Sequence, residues 1–324
     1  MIKNEQQEEY IEQALEFYDN EDYLNALVYF TKAIAEGKIH NEHIYHYRAE
    51  AWSKRGEYDI AIMEINDALR ENPQNAKLYG KRGEFHHKSA QYSKSIRDLT
   101  LAIELESHVP IYYYERSIAH SKISNWTAAL EDIETAIHLA GNDAEKESPE
   151  FYVQRAEIAL KTNDLEKGLE DCQRILKSDS PPNNAYRICG EILLAMGDSI
   201  NGVKMLEKAA ELGENINLSM AKGRHQKHEY QEAIQWCDRY IEFNSTDHEA
   251  FHLRGNSYYF LYLKDNDKKN LENARRDCEF ALEYYPYFIE AYRTLVRVFL
   301  ALGDFLRSQH CEEKIKELEN LKRT

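Results

Sequence analysis

Near the N-terminus three histidines and an acid stand close together: His40, His43, His46 and Glu50. On a helix His43, His46 and Glu50 fall at i, i+3 and i+7. That spacing places two imidazoles and a carboxylate on one face, where a zinc ion could be held. The H-E-x-x-H pattern of a zinc hydrolase is missing, so these residues read as helix surface and no metal is expected. Asp265 and Asp267 suggest a calcium loop, but Lys269 occupies the fifth ligand position and the turn glycine is absent. Cys172, Cys189, Cys237, Cys278 and Cys311 form no C-x-x-C pair and read as reduced, small packing residues. There is no G-x-S-x-G, no phosphate loop and no G-x-G-x-x-G. Neither catalytic residues nor a cofactor are expected, and the chain does not read as an enzyme.

Composition narrows the partners. The 324 residues carry 41 Lys and Arg against 57 Asp and Glu, a net charge of −16. That charge disfavours a nucleic-acid binder relying on phosphate attraction and suits a basic partner. No apolar run reaches 18 residues, so no membrane insertion is expected. The start, MIKNEQQEEYIEQAL, lacks the apolar core of a signal peptide. With unpaired cysteines, a cytoplasmic location is expected.

The elements that must position any site come from one stretch, Ile44 to Pro73. Tyr45, Ala49 and Trp52 share a face of one helical pattern, and Ala61, Ile65 and Ala68 a face of the next. A turn at Lys54-Arg55-Gly56-Glu57 joins them, and Pro73 ends the second. The unit recurs nine times. A small residue late in the first helix recurs as Ala14, Ala49, Gly83, Ser117, Ala156, Gly190, Ala221 and Gly255, with Val296 the exception. A small residue opening the second recurs as Ala26, Ala61, Ser95, Ala129, Gly168, Gly202, Ala233, Ala274 and Ser308. Two helices at 8–10 Å need such residues where their backbones come closest.

This pattern resembles the tetratricopeptide repeat (TPR), whose period is about 34 residues. The resemblance implies an all-α fold, an α-α superhelical solenoid of tandem helix-turn-helix units over residues 1–324. The repeats fall at about 7–40, 42–75, 76–109, 110–143, 149–182, 183–216, 214–247, 248–288 and 289–322, with 316–324 as a polar cap. Repeat seven is compressed to 31 residues between small openers, which marks it as irregular and as a candidate hinge. Repeat eight carries seven extra residues around 263–269, read as a longer first helix plus a loop.

The resemblance further implies that first helices line a concave groove. Its candidate contacts are His43, His46, Tyr47, Glu50, Lys77, Lys81, Glu84, His87, Tyr114 and Glu115. In later repeats they are Gln154, Glu157, Arg187, Glu191, His252, Asn256, Arg293 and Arg297. His86 and His120 occupy core slots. The carboxylate clamp of chaperone-tail binders is incomplete, since Tyr47 stands where asparagine is needed. A non-catalytic scaffold or adaptor binding a peptide, tail or partner helix is expected. The alternatives are a peptide-sensing regulatory subunit that changes pitch, or a non-catalytic partner of a separate effector enzyme; homo-oligomerisation is left open.

One covariation runs inside the sequence. Arg48, Arg82, Arg116, Arg155 and Arg254 precede the small residue of the first helix, and the same repeats carry Glu64, Asp98, Asp132, Asp171 and Asp277 in the second. The four repeats without the arginine lack the acid. An ion pair bridging the two helices of each repeat is expected.

Overall fold

A single backbone device recurs at the turn inside each helix pair. Glu21, Gly56, Ala90, Ser124, Asn163, Gly197, His228, Asn266 and Gly303 all have φ between 57° and 86°. Each stands two residues before a helix begins. The residue after it commonly returns its N–H to the carbonyl five residues back, as in Glu57 to Trp52 at 3.0 Å and Gln91 to His86 at 2.8 Å. This is the C-terminal cap in which a left-handed residue lets the chain reverse while satisfying the last carbonyls. Six of the nine positions are not glycine, so the conformation there is imposed by the hairpin against an intrinsic cost.

The computed structural model describes residues 2–36, 42–141, 148–178 and 180–321. The described residues form eighteen α-helices and no strand. In chain order the helix pairs are α1 (Ile2–Asp19) and α2 (Tyr23–Ala35), α3 (Glu42–Lys54) and α4 (Tyr58–Glu71), and α5 (Ala76–Lys88) and α6 (Tyr92–Leu105). Next come α7 (Pro110–Lys122) and α8 (Trp126–Ala140), α9 (Pro149–Thr162) and α10 (Leu165–Ile175), and α11 (Ala185–Ala195) and α12 (Ser199–Glu211). The last are α13 (Asn217–Gln226) and α14 (Tyr230–Phe243), α15 (His248–Asp265) and α16 (Lys268–Tyr284), and α17 (Ile289–Leu302) and α18 (Phe305–Leu321). They gather into two compact units, Met1–Thr162 and Asn163–Thr324.

The small residues meet across the hairpins. A Cβ on Gly190 would stand 3.0 Å from the Gly202 carbonyl oxygen and 2.9 Å from Leu206 Cγ, and one on Gly255 3.1 Å from the Ala274 carbonyl. In the fourth hairpin Ser117 Oγ donates to the Ala129 carbonyl at 2.8 Å. Ala49 and Ala61 are fully buried in a cluster with Ile65, Leu78 and Phe85, which carries the core from the second hairpin into the third. Within the first unit α5 touches α7 and α7 touches α9; within the second α11, α13, α15 and α17 touch in succession. First helices therefore share a face in each unit.

One detail differs from expectation. The extra residues of repeat eight add no extended loop. Asn266 closes α15 in the left-handed conformation and Asp267 caps α16 through the Lys269 amide, so both helices lengthen instead. Of the polar cap expected at 316–324, residues 316–321 continue α18, and 322–324 lie outside the described residues. The compressed repeat seven takes up its deficit in α13, which has only 10 residues.

The turn geometry makes a paired prediction. Ala90→Gly should raise stability by about 0.5–1 kcal/mol, because it relieves a left-handed alanine at some entropic cost. Gly56→Ala in the equivalent turn should lower it by a similar amount. Urea unfolding of both variants checks the signs; the same sign for both would refute the account.

Candidate functional site

The arginines form joints between helices. Arg82 donates through Nε to Asp98 Oδ2 at 2.7 Å and through Nη2 to Oδ1 at 2.6 Å. Arg116 meets Asp132 in the same way at 2.8 and 2.7 Å, and Arg254 meets Asp277 at 2.8 Å twice. Arg48 donates through Nε and Nη2 to one oxygen, Glu64 Oε2. A planar fork on a carboxylate fixes both distance and angle between the helices of a hairpin. Arg155 lies in the first unit and Asp171 in the second, so that expected pair has one member in each.

Two parts of the joint escape a reading by covariation alone. The remaining nitrogen, Nη1, reaches back to the preceding hairpin: Arg82 to Asn66 at 2.7 Å, Arg116 to Thr100 at 3.0 Å and Arg254 to Asp238 at 2.7 Å. Each acceptor stands 16 residues before its arginine. That constant offset is the signal that could have revealed it. Each guanidinium also lies 5.3–5.8 Å from an aromatic ring three residues earlier: Tyr45, Tyr79, Tyr113, Tyr152 or Phe251. One arginine thus ties two helices of its own hairpin to the hairpin before it. His86 and His120 sit 3.6 and 3.9 Å from the same carboxylates, Asp98 and Asp132, and burial holds both imidazoles below their ordinary range.

On the first-helix face of the first unit a cleft of about 360 Å³ opens among α3, α5 and α7. His46 comes from α3; Lys77, Gly80, Lys81 and Glu84 come from one face of α5. Val109, Ile111, Tyr112 and Glu115 come from the start of α7, with Leu99 of α6 beneath. Gly80 admits the Tyr112 ring, which a Cβ would meet at 2.6 Å. Lys81 Nζ donates to Glu50 at 2.5 Å and to Glu84 at 3.0 Å, and Lys88 donates to Glu84 at 2.7 Å. Burial works to raise the Glu50 carboxyl, but Lys81, His46 and the Tyr18 hydroxyl together hold it below the usual range. Glu115 accepts no hydrogen bond from any described residue. Burial pushes its carboxyl up to about 7, and the charge of Glu84 adds to the shift. Lys77 is exposed at the rim.

Several sequence candidates also take part in packing. Tyr47 lies edge-on to Tyr18 at 5.4 Å and stacks with Phe30 at 6.5 Å. Tyr114 packs on Phe151 at 5.0 Å, and burial raises its hydroxyl pKa. His87 tilts against Tyr92 at 5.4 Å with its Nδ1 buried. Gln154 is buried and donates to Ser121 Oγ at 2.9 Å. In each case a neighbouring helix packs against the side chain, which periodicity does not report. The His43 side chain lies outside the described residues. Among the described residues no group of three or more His, Cys, Asp or Glu could hold a metal ion, and no helix is long and apolar enough to cross a membrane.

The first-helix face of the second unit is different. His225 Nδ1 meets Ser257 Oγ at 2.8 Å, and its Nε2 meets Asn256 Nδ2 at 3.3 Å. Arg297 reaches Asn256 at 3.3 Å and Thr294 at 3.0 Å, and His252 meets Thr294 at 3.1 Å. Burial holds His225 and His252 down to about 4. Arg187 and Glu191 pair at 3.2 Å, Ser219 donates to Glu191 at 2.6 Å, and Arg293 pairs with Glu319 at 2.9 Å. All five cysteines are free and buried.

The Cut9–Hcn1 hetero-tetramer of the APC/C superposes on 85% of this chain and 52% of its own, at a TM-score of 0.66 and 15% identity. PilF of Pseudomonas aeruginosa matches at 15% identity and a TM-score of 0.52, covering 72% of this chain and 99% of its own. The chain has the tetratricopeptide-repeat fold. A human IFIT1 dimer with m7Gppp-AAAA is also similar, at 15% identity, a TM-score of 0.55 and coverage of 86% and 69%. No protein-family model matches the chain, and no curated protein does. At these identities the likeness is one of TPR fold alone.

Two tests follow from this geometry. Arg116→Met should destabilise the first unit by about 2–3 kcal/mol, and adding Asp132→Met should recover part of that loss, because the single variant strands a buried carboxylate. Equal losses in urea unfolding would dismiss the joint. In the second unit His225 and His252 titrate near 4 in the fold against 6.5 when free. The unfolded chain binds more protons between those values, so stability there falls as pH drops from about 6.5 towards 4. Hydrogen exchange in α13, α15 and α17 should speed up across that window, and His225→Gln with His252→Gln should flatten the dependence.

Proposed function

We propose that this chain is a non-catalytic interaction scaffold whose first-helix face in the first unit holds a peptide, tail or helix of a protein partner. The observation that carries the reading is the cleft among α3, α5 and α7. It combines an apolar wall of Val109, Ile111 and Tyr112 with charged groups at one end. Its volume of about 360 Å³ lies at the small end of ligand pockets, where few, well-placed polar groups set orientation. Three successive repeats build it, so an extended segment could run across them with little ordering cost on the protein side. The Cut9–Hcn1 structure, a hetero-tetramer, supports a protein partner for this fold.

The same cleft favours binding over chemistry. A catalytic lysine needs a depressed pKa. Burial works to lower Lys81, but Glu50 and Glu84 outweigh it and keep the amine protonated above its ordinary range. No serine, threonine or cysteine is among the residues that line the cleft. The IFIT1 structure contains m7Gppp-AAAA, but a net charge of −16 opposes phosphate attraction here.

Filling the cleft tests the reading. Ile111, which is 45% exposed on its wall, can be replaced in Ile111→Arg. Proteins retained from a lysate of the native source by the unaltered chain should be lost with Ile111→Arg and kept with Lys94→Glu on α6. Equal retention by both variants would remove the site from this face.

A further inference from the structure

We propose that the cleft is built to receive a lysine or arginine side chain of the bound segment, with its stem on the apolar wall and its cationic head on Glu115. The proposal rests on the peptide-binding reading and adds the chemistry of the residue that is recognised.

The pairing of charges in and beside the cleft is uneven. Three carboxylates gather there, those of Glu50, Glu84 and Glu115, with two amines close by, Lys81 and Lys88. Lys81 is engaged by Glu50 and Glu84, and Lys88 by Glu84. His46 stands 3.5 Å from Glu50. Both amines donate to Glu50 or Glu84, and Glu115 receives a hydrogen bond from neither. It receives no hydrogen bond from a described residue, yet it is partly buried. A carboxylate withdrawn from water without a partner is costly, and a cation arriving from outside removes that cost.

The surroundings select the shape of that cation. Ile111 lies one helical turn before Glu115 on α7, so it shares that face. With Val109 and Tyr112 it forms an apolar wall that ends at the carboxylate. Lysine and arginine match this arrangement, an alkyl stem ending in a charge. Lys77, exposed on the rim, is the one further charge in the cleft and repels such a head. The groups that face Glu115 are then Lys77, Lys81, Glu84 and Lys88 from α5 and His46 from α3. On the far side, Glu150 and Glu157 of α9 act on the adjoining Tyr114.

Opposite charge changes at two positions should act in opposite directions. The probe is a positional-scanning library of acetylated, amidated nine-residue peptides with one position at a time fixed as Lys, Arg, norleucine or Glu. At one position or more, the unaltered chain should bind Lys- or Arg-fixed pools about tenfold more tightly than norleucine-fixed pools, the scale of a charge-assisted hydrogen bond. Glu115→Gln should erase that preference and Lys77→Glu should widen it. Glu115→Gln mimics the neutral carboxyl that burial already favours, so it should fold normally, as circular dichroism will show. Because Glu115 in the free cleft titrates near 7, the preference should be full at pH 8 and collapse below about pH 6. Near pH 7 binding should release a proton, which calorimetry in buffers of different ionisation enthalpy detects. Equal binding of Lys and norleucine pools, or a preference for Glu, would overturn the inference while leaving peptide binding intact. A library in which no pool binds would overturn both.

Discussion

Everything in this chain is phased by the point where two backbones come closest. At Gly190 and Gly202 neither helix has room for a Cβ: each would sit about 3 Å from the other's carbonyl oxygen. Ser117 turns the same closeness into a hydrogen bond to the Ala129 carbonyl. Once that crossing is fixed, helical geometry dictates the office of every other position. The residue before the small one carries the arginine joint, and three residues before the arginine comes the ring on which its guanidinium rests. Two residues before the small one, the chain places Tyr47, Lys81 and Glu115, the slot that looks onto the first-helix face.

This phasing explains what could be read without coordinates. Eight pairs of small residues in step announce helical hairpins, because few other arrangements require glycine, alanine or serine at such spacing. The arginine and its acid are legible because they appear and vanish together. The reach of Nη1 to the previous hairpin is less so, since Asn66, Thr100 and Asp238 share only the ability to accept a hydrogen bond. The turns are harder still. Ala90 or His228 in the left-handed region contradicts local preference, and the reason lies in cap hydrogen bonds that only the closed hairpin supplies.

The candidate site shows the limit of periodicity more sharply. Tyr47, Lys81 and Glu115 occupy equivalent slots, yet only the charged two line the cleft. Tyr47 is held between Tyr18 and Phe30 of the preceding hairpin. A flat ring gains by contact on both faces, whereas a charged head keeps to the water side of its stem. The slot defines a direction; the side chain and its neighbours decide whether that direction ends in protein or in solvent. Tyr114 and Gln154 follow the same rule, covered respectively by Phe151 and by the serines of α7.

The two units handle polar groups on their first-helix faces in contrasting ways, and the contrast bears on the proposed binding face. In the second unit Arg297, Asn256, His225, Thr294 and His252 answer one another in a continuous chain of hydrogen bonds. Such a network is self-sufficient: a ligand group would have to break a bond for each one it makes. In the first unit Lys81 and Lys88 are engaged by Glu50 and Glu84, which leaves Glu115 unanswered beside an apolar wall. There an incoming cation forms a new interaction without dismantling an old one. Recognition concentrates where such asymmetry exists, because the free energy of the new contact is not cancelled by one that is lost. The face that is least satisfied on its own is therefore the face best prepared for a partner.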